Sequence, residues 1–298
     1  MQKIDIVARA HWPELAAFIH RHNRRSDGRA RCLHAEHGDT ADAQASEMLA
    51  IPDGEACFVA ARAGTGGEWS GMAGCELDPA LGRAWLRGPL TRDADDAALQ
   101  VALIHALEAA LPRAVRRFDA FPQVSETALR ASYRAAGYRD HMQHHVFCLE
   151  RPQAPPPWPE AVAAQASPAA AELAARLHEQ LFPDTYLTRT SMLESLDDEH
   201  RLFAAEVGGT VAGYVYVQDK PLEDEGYIDF IGVSAQARGR GLGRALLDAA
   251  VHWAMVERGR PRVSLTARQD RTPALGLYEA AGFREVAAGA HMIKVRTA

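Results

Sequence analysis

The sequence is poor in cysteine and contains no long apolar run. Its four cysteines all lie before residue 150, and none belongs to a Cys-x-x-Cys pair. A chain of 298 residues does not need disulfides, so we expect these cysteines to be reduced and packed in the core. Residues 1–6 lack the apolar run of a signal peptide, and no stretch is long enough to span a bilayer. The sequence therefore predicts a cytoplasmic protein with no membrane partner.

The chain also lacks an excess of basic charge. Its formal net charge is −6, and the deficit is spread over both halves, so no basic face and no nucleic-acid partner are expected. Hydrophobic residues make up 47% of the chain and charged residues 24%, which is typical of globular proteins. A length of 298 residues favours two domains over one.

A proline-rich segment divides the chain. Residues 151–160 contain five prolines, which cannot supply helix or ladder hydrogen bonds and favour an extended, fairly stiff connector. We therefore predict one domain over residues 1–150, a linker over 151–160 and a second domain over 161–298.

The two halves of the chain contain the same pattern. Residues 278–284 (YEAAGFR) match residues 133–139 (YRAAGYR), which gives an offset of 145 by subtraction of 133 from 278. The same offset aligns residues 202–205 with 57–60, and it also aligns an apolar helix in each half. Three matches at one offset predict a duplicated domain.

The C-terminal half has the periodicity of a mixed α/β domain. Helical spacing of apolar residues alternates with strands rich in β-branched and aromatic residues, and a Gly-Gly pair at 208–209 predicts a hairpin. The predicted helices are 169–181, 242–258 and 273–281, and the predicted strands are 201–207, 210–218, 227–233, 262–267 and 292–295.

A basic, glycine-rich turn follows the strand predicted at 227–233. Residues 233–244 read VSAQARGRGLGR, so a strand end leads through alternate glycines into an apolar helix. Glycine lacks the Cβ that would block an anion, and the amides of a helix N-terminus point at the anion with the helix dipole behind them. Arginine adds positive charge. The pattern predicts a phosphate or pyrophosphate site formed by Arg238, Gly239, Arg240, Gly241, Gly243 and Arg244.

The turn does not have the spacing of two common phosphate-binding motifs. A dinucleotide-binding fingerprint would need a third glycine where the chain has Leu246, and a P-loop would need a Lys-Ser/Thr pair after its glycines. Strand-to-helix turns also use glycine for geometry alone, without a ligand. A purely structural turn is therefore the alternative to a phosphate site.

The turn resembles the Arg/Gln-x-x-Gly-x-Gly/Ala signature of the GCN5-related N-acetyltransferases, the GNAT family. Arg238, Gly241 and Gly243 stand at the matching positions. A strand at 263–266, a helix bearing Tyr278 and the Gly-Phe pair after it also resemble the family's later elements. The resemblance covers nearly all of residues 160–298. It implies an α/β (α+β) fold of two tandem domains, each with a central, mostly antiparallel sheet flanked by helices.

The resemblance implies that the turn holds acetyl-CoA as acyl donor and that no metal is needed. In the family the thioester lies where the fourth and fifth strands diverge, which would place the backbone of Val233 near its carbonyl. Asp270 departs from the family pattern, because an asparagine that touches the cofactor is common at that position. The implied cofactor-binding residues are Ile231, Val233, Arg238, Gly239, Arg240, Gly241, Leu242, Gly243, Arg244, Asp270 and Tyr278.

Three side chains are candidates for proton transfer. The resemblance implies Tyr278 as the general acid that protonates the departing thiolate; the alternative is an aromatic side chain that only packs its helix. A base must take a proton from the ammonium form of the acceptor. Strand alternation puts Glu225, Tyr227 and Asp229 on one face, so Asp229 is the first candidate and Glu225 the second. Either carboxylate could instead serve only to recognise a positively charged substrate.

The N-terminal half has lost the glycine-rich turn. The offset of 145 places residues 238–243 on residues 93–98, which contain three aspartates and neither glycine nor arginine. Aspartate caps a helix well but would repel a pyrophosphate. We therefore predict a degenerate copy that does not bind coenzyme A in the same manner, that shapes the acceptor cleft and that retains Tyr133 as a packing residue.

Two groups of histidines have side chains that could ligate a metal. The groups are His34 and His37 beside Cys32, and His141 with His144 and His145. Neither has a complete ligand set at a familiar spacing, so no metal site is predicted.

The leading functional prediction is an enzyme that transfers an acetyl group from acetyl-CoA to a primary amine by direct attack in a ternary complex. A small-molecule acceptor is favoured over a protein. The alternatives are a coenzyme A-binding pseudoenzyme with a sensing or scaffolding role, and a binder of another phosphorylated ligand. No motif identifies the acceptor, the preferred acyl chain or the oligomeric state.

Overall fold

The computed structural model describes residues 3–24, 30–33, 40–63, 67–164, 166–183 and 185–296. These residues form two compact units, unit 1 within residues 1–144 and 287–298 and unit 2 within residues 145–286. The helices are α1 (Trp12–His22), α2 (Ala41–Ala50), α3 (Ala97–Ala110), α4 (Thr127–Ala135), α5 (Pro168–Leu181), α6 (Arg189–Glu194), α7 (Leu242–His252) and α8 (Thr272–Ala280). The strands are β1 (Ile4–Ile6), β2 (Ala56–Arg62), β3 (Trp69–Asp78), β4 (Arg83–Thr91), β5 (Arg117–Ala120), β6 (Arg139–Glu150), β7 (His200–Val207), β8 (Thr210–Lys220), β9 (Glu225–Val233), β10 (Arg262–Arg268) and β11 (Arg284–Val295).

From α1 and from α5 onwards, the two halves of the chain have the same order of elements, while β1 has no counterpart among the described strands of the second half. Two helices precede three antiparallel strands, and a helix, a parallel strand, a second helix and a final strand follow. This repetition matches the offset of 145 and has the mixed α/β architecture predicted for two tandem domains. Among the described residues, no helix is both long enough and apolar enough to cross a membrane.

The final strand of each half crosses the boundary between the units: residues 139–144 of β6 and 287–295 of β11 lie in unit 1, and residues 145–150 and 284–286 lie in unit 2. In unit 1 the order is β1-β2-β3-β4-β5-β11, and in unit 2 it is β6-β10-β9-β8-β7. Antiparallel pairing sets Met292 of β11 opposite Ala120 of β5, and Met292 is fully buried in the core of unit 1. Phe147 of β6 is buried in the core of unit 2. The sequence predicts that residues 287–298 belong to the C-terminal domain, whereas this pairing places the described part of them in unit 1.

Helices cover both faces of the unit 2 sheet. Leu246 of α7 is fully buried in one core, and Ala174 of α5 is fully buried in the core on the other face. The side chain of Ser167 accepts a hydrogen bond from the amide of Ala170 and so begins α5 one residue before the predicted helix. The predicted helix 242–258 is α-helical only to His252 and then continues as a π-helical turn, Trp253–Glu257.

Candidate cofactor and acceptor site

Strands β9 and β10 separate part-way along their length. Their parallel pairing runs from Glu225 opposite Arg262 to Ile228 opposite Leu265, yet β9 continues to Val233 and β10 to Arg268. The last residues of both strands therefore leave a gap in the sheet. On its other edge β9 stays paired with β8 as far as Val233.

The turn that follows β9, residues 234–241, is open to a ligand; we call it the glycine turn. Gly239 and Gly241 have φ values of +75° and +78°, which side-chain-bearing residues rarely adopt, and a Cβ at either position would meet no atom within 4 Å. Within the described part of the chain, no side chain caps the N-terminus of α7, which starts at Leu242. Its first amides can therefore hold an anion such as a pyrophosphate.

The three arginines of the turn have different surroundings. Arg238 and Arg240 are exposed, and neither forms an ion pair with another described residue. Arg244 instead pairs with Asp248, at 2.9 Å from Nε to Oδ1, and donates to the carbonyl of Ala280 at 3.2 Å. The positive charge expected from the sequence at the turn is therefore supplied by Arg238 and Arg240, while that of Arg244 is balanced by Asp248.

Helix α8 packs against the start of α7 and carries Tyr278. A Cβ on Gly243 would lie 3.3 Å from Cδ2 of Leu277, so this glycine allows the two helices to approach closely. The Tyr278 ring is 5% exposed and lies beside Phe147 and Phe283, with centroid distances of 5.9 and 6.2 Å. Burial raises the pKa of Tyr278 to about 12, so its hydroxyl is protonated at neutral pH and able to donate a proton.

Asp229 lies on β9 at the point where β9 and β10 separate. The register with β8 shifts there, because Ile228 pairs with Val217 and Phe230 with Tyr216, which leaves Asp229 as the extra residue of a β-bulge. Burial raises the pKa of its carboxyl to about 6 despite opposing hydrogen bonds from Tyr186 and Gln218. A carboxyl with a pKa near 6 is ionised at neutral pH and basic enough to accept a proton.

Two partners of Asp229 were not among the sequence-based candidates. The Tyr186 hydroxyl donates to one carboxylate oxygen, and Nε2 of Gln218 donates to the other at 2.9 Å. Tyr186 lies in the segment between α5 and α6, 43 residues before Asp229, so no local pattern indicates the contact. Gln218 belongs to strand β8, and its proximity to Asp229 follows only from the register.

A buried histidine ties the segment that carries Tyr186 to the sheet. His178 of α5 is fully buried, with Nε2 lying 2.7 Å from the carbonyl of Leu187 and Nδ1 lying 2.7 Å from the hydroxyl of Tyr214. The carbonyl can only accept, so Nε2 carries the proton and Nδ1 accepts from Tyr214. Burial lowers the pKa of His178, which keeps the ring neutral in this role.

Glu225, the second carboxylate candidate, is the first residue of β9 and lies at the end of the strand far from the glycine turn. It faces Arg262 in the parallel register, and its carboxylate is 3.4 Å from Nε of that arginine. Burial raises the pKa of Glu225. At about 3.3 Å per residue, four residues of strand put it about 13 Å from Asp229. The geometry therefore brings Asp229, but not Glu225, to the divergence of the strands.

The remaining predicted residues lie around the gap. Ile231 and Val233 are partly buried and pair with Val215 and Gly213 of β8, so their other backbone edge faces the gap. Asp270 is exposed and pairs with Arg268, whose hydrogen bond lowers the pKa of that carboxyl. The Tyr227 hydroxyl donates to Oγ1 of Thr266 at 3.1 Å and so joins β9 to β10 where the gap begins.

A cavity of about 510 Å³ adjoins the glycine turn in unit 2. One wall is formed by α5 through Leu173, Leu177 and Gln180, and another by Gln236 and Arg240 of the turn. Leu173 is 43% exposed, so this wall offers apolar surface to a ligand beside a basic turn.

The N-terminal counterpart of the turn has another structure. Asp96 caps α3 by accepting the amide of Leu99 at 3.0 Å, which is the capping role predicted for this group of aspartates. Tyr133 is fully buried and donates to the carbonyl of Gly88, which agrees with a packing role.

The histidine groups do not form a metal centre within the described residues, where no cluster of three His, Cys, Asp or Glu could hold an ion. His34 and His37 lie outside the described residues. The rings of His141 and His144 lie beside that of His291, with centroid distances of 5.1 and 5.2 Å. His145 lies 2.9 Å from the carboxylate of Glu285.

The profile of the acetyltransferase (GNAT) family matches residues 167–283, the segment that carries the gap, the glycine turn and α8. Residues 167–283 therefore form a GNAT domain. The match leaves out the N-terminal half, so it covers only the GNAT domain of unit 2.

Curated relatives resemble only part of the chain. A mycothiol acetyltransferase of Clavibacter sepedonicus is 37% identical over 91 residues, which cover 30% of this chain and 29% of that protein. An N-alpha-acetyltransferase of Sulfurisphaera tokodaii is 34% identical over 98 residues, which cover 30% of this chain and 59% of that protein. The chain therefore spans less than two thirds of the length of either relative.

Solved structures resemble the whole chain. A GCN5-related N-acetyltransferase from Sphaerobacter thermophilus has a TM-score of 0.74 at 21% identity and covers 98% of this chain and 95% of its own. A tandem GNAT protein from the clavulanic acid biosynthesis pathway has a TM-score of 0.66 at 14% identity and covers 98% of both chains. At these identities the likeness shows the fold, which is that of two tandem GNAT-like domains.

Proposed function

We propose that the chain is an N-acetyltransferase that uses acetyl-CoA and a primary amine, with unit 2 as the working copy. The observation that carries this proposal is the divergence of β9 and β10 directly before an open, uncapped helix N-terminus. When bound, acetyl-CoA supplies an activated acyl group that an amine can attack. Much of the rate acceleration should then come from how the chain positions the two substrates.

The glycine turn is suited to hold the phosphates of the donor. The amides at the start of α7 point into solvent at a position where Gly239 and Gly241 leave room, and Arg238 and Arg240 add two positive charges. The free edge of β9 at Val233 would orient the acyl end within the gap. Gly243 contributes through helix packing, because it lets α8 bring Tyr278 close to α7.

Asp229 and Tyr278 divide the proton transfers between them. The Asp229 carboxylate would accept a proton from the acceptor ammonium, and its pKa of about 6 makes it a stronger base than an exposed aspartate. The Tyr278 hydroxyl, protonated at neutral pH, would donate its proton to the departing thiolate. The half-buried carboxylate would also attract a cationic amine, which favours a small amine as acceptor.

Calorimetric titration of acetyl-CoA into the full-length protein, repeated with Gly241→Asp, tests the donor site. An aspartate at the turn sets a carboxylate against the phosphates, so binding should be lost. Gly259→Asp is a matched control, because Gly259 has a φ of +74° and also has nothing within 4 Å of its Cβ position. It imposes the same backbone cost away from the turn and should bind normally.

Release of free thiol from acetyl-CoA in the presence of a panel of amines then tests transfer. Loss of binding in Gly241→Asp but not in Gly259→Asp, together with amine-dependent thiol release, is the expected result. Binding without release across the panel would favour the pseudoenzyme. Equal binding by both variants would overturn the assignment of the turn.

A further inference from the structure

Unit 1 contains a basic cavity of about 340 Å³ beside the turn that follows β4. Its walls come from the end of α1, from that turn, and from Glu126 just before α4. We call it the arginine cavity after the four arginines among its described lining residues, which are Arg21, Arg24, Arg31 and Arg92.

The aspartates of the N-terminal turn do not line this cavity. Asp96 accepts the amide of Leu99, and Asp93 accepts the amide of Asp95 at 3.1 Å, so both carboxylates are engaged with backbone. The residues of this turn that line the cavity are Thr91, Arg92 and Ala94. The repulsion expected from the three aspartates therefore acts beside the cavity rather than within it, and the described residues that line the cavity carry a net positive charge.

The described residues that line the arginine cavity carry four guanidinium groups and one carboxylate. Glu126 lies 3.3 Å from Arg31, and Arg92 pairs with the exposed Glu68 at 2.6 Å. Arg21 is exposed and forms no ion pair within the described part of the chain. Burial lowers the pKa of His22, and Arg21, Arg92 and Arg31 lower it further. Three arginines of the lining therefore act on His22, which lines the same cavity.

The lining also limits the kind of ligand. Of the described lining residues, Ala94 is the one with an apolar side chain, so these residues offer little apolar surface for the long pantetheine arm of coenzyme A. Arginine presents paired donors in a plane that match the oxygens of a phosphate. We propose that the arginine cavity binds a compact phosphate dianion, either inorganic phosphate or a small phosphomonoester. This site is independent of the proposed acetyl transfer in unit 2.

Calorimetric titration of the full-length protein with inorganic phosphate and with glycerol 3-phosphate tests this site. All titrations use protein that carries Gly241→Asp, which closes the glycine turn to anions and serves as the background. Arg21→Gln is then added to this background to remove one arginine of the cavity. Arg113→Gln, an exposed arginine of unit 1 outside the cavity, is the matched control. Loss of one charged hydrogen bond should weaken phosphate binding at least about tenfold in Arg21→Gln, and the control should bind as the background does.

The relative affinity of the two probes identifies the source of the ligand, since tighter binding of the ester points to an organic phosphate. Histidine NMR supplies a second readout, because a bound dianion should raise the pKa of His22, with the signal assigned through His22→Asn. Phosphate binding that is absent from the Gly241→Asp background, or that is equal in Arg21→Gln and Arg113→Gln, would overturn the proposal. An unchanged His22 titration at saturating phosphate would overturn it as well.

Discussion

Replacing Asp229 by asparagine should stabilise unit 2 at neutral pH while it removes the proposed base. Burial raises the pKa of Asp229 from 3.8 to about 6. At about 1.36 kcal/mol per pKa unit, ionisation of this carboxyl costs the folded state about 3 kcal/mol at neutral pH. Asparagine has nearly the same shape as aspartate but carries no charge at any pH. Gln218 can rotate its amide to keep the hydrogen bond. The variant therefore avoids most of this cost.

The gain in stability of Asp229→Asn over the wild type should increase with pH. Because the folded pKa lies above the unfolded value of 3.8, the stability associated with the protonated carboxyl is fully present below that pH. This stability is lost as the pH rises to about 6, because in that range the unfolded state has released its proton and the folded state still holds it. Above that pH the contribution of Asp229 to the free energy of unfolding no longer changes. Asparagine does not titrate. The difference between variant and wild type should therefore be small near about pH 4 and largest at about pH 8.

Differential scanning calorimetry of the full chain at both pH values measures this difference. One kcal/mol shifts Tm by roughly 2–4 °C in a unit of this size, so a rise of several degrees is expected at the higher pH only. Asp219→Asn is a control of opposite sign: burial would raise the pKa of Asp219, but hydrogen bonds from Arg260 and Arg258 outweigh it and lower the pKa. That variant should lose Tm at the higher pH. A shift for Asp229→Asn that is the same at both pH values would refute the reasoning.

Substitutions of Tyr278, Tyr186 and Asp96 give three further predictions. Tyr278→Phe keeps the ring packing, so Tm and acetyl-CoA affinity should be retained in calorimetry while kcat falls about 10-fold or more; an unchanged kcat would exclude Tyr278 as the acid. Tyr186→Phe removes a hydrogen bond that lowers the pKa of Asp229, so the acidic limb of the kcat/KM profile should move up by about one pH unit; a profile that does not move would contradict the contact. Asp96→Ala removes the cap of α3 and should cost about 1 kcal/mol in thermal unfolding, with acetyl-CoA binding unaffected; equal Tm values would show that the cap contributes nothing.

Local signals in the sequence account for most of unit 2. The Gly-Gly pair predicts the β7–β8 hairpin, and Gly208 and Gly209 have φ values of +61° and +76°, which glycine adopts without strain. Apolar spacing predicts α5 from residue 169, and the helix begins one residue earlier because Ser167 caps it and Pro168 has a helical φ. The spacing of glycines in the turn similarly predicts an open helix N-terminus at Gly241. These features depend on neighbouring residues alone.

Features that depend on distant residues were not predictable in this way. Strand alternation identifies Asp229 but not the β-bulge that sets it apart from its neighbours, because a bulge depends on the register with β8. Tyr186 reaches Asp229 only through the fold of the segment after α5. The arginine cavity draws three of its four arginines from α1 and the residues that follow and only Arg92 from the turn to which the alignment of the two halves points. Such contacts arise from tertiary packing.

The exchange of final strands limits how modular this duplicated protein can be. A cut within residues 151–160 would give an N-terminal fragment without β11, the partner of β5, and a C-terminal fragment without β6, the neighbour of β10. Each fragment would then expose an unpaired sheet edge and lose a buried side chain, Met292 in one case and Phe147 in the other. We therefore expect neither fragment to fold stably by itself. The two fragments should instead be soluble and active only when produced together, as complementing halves.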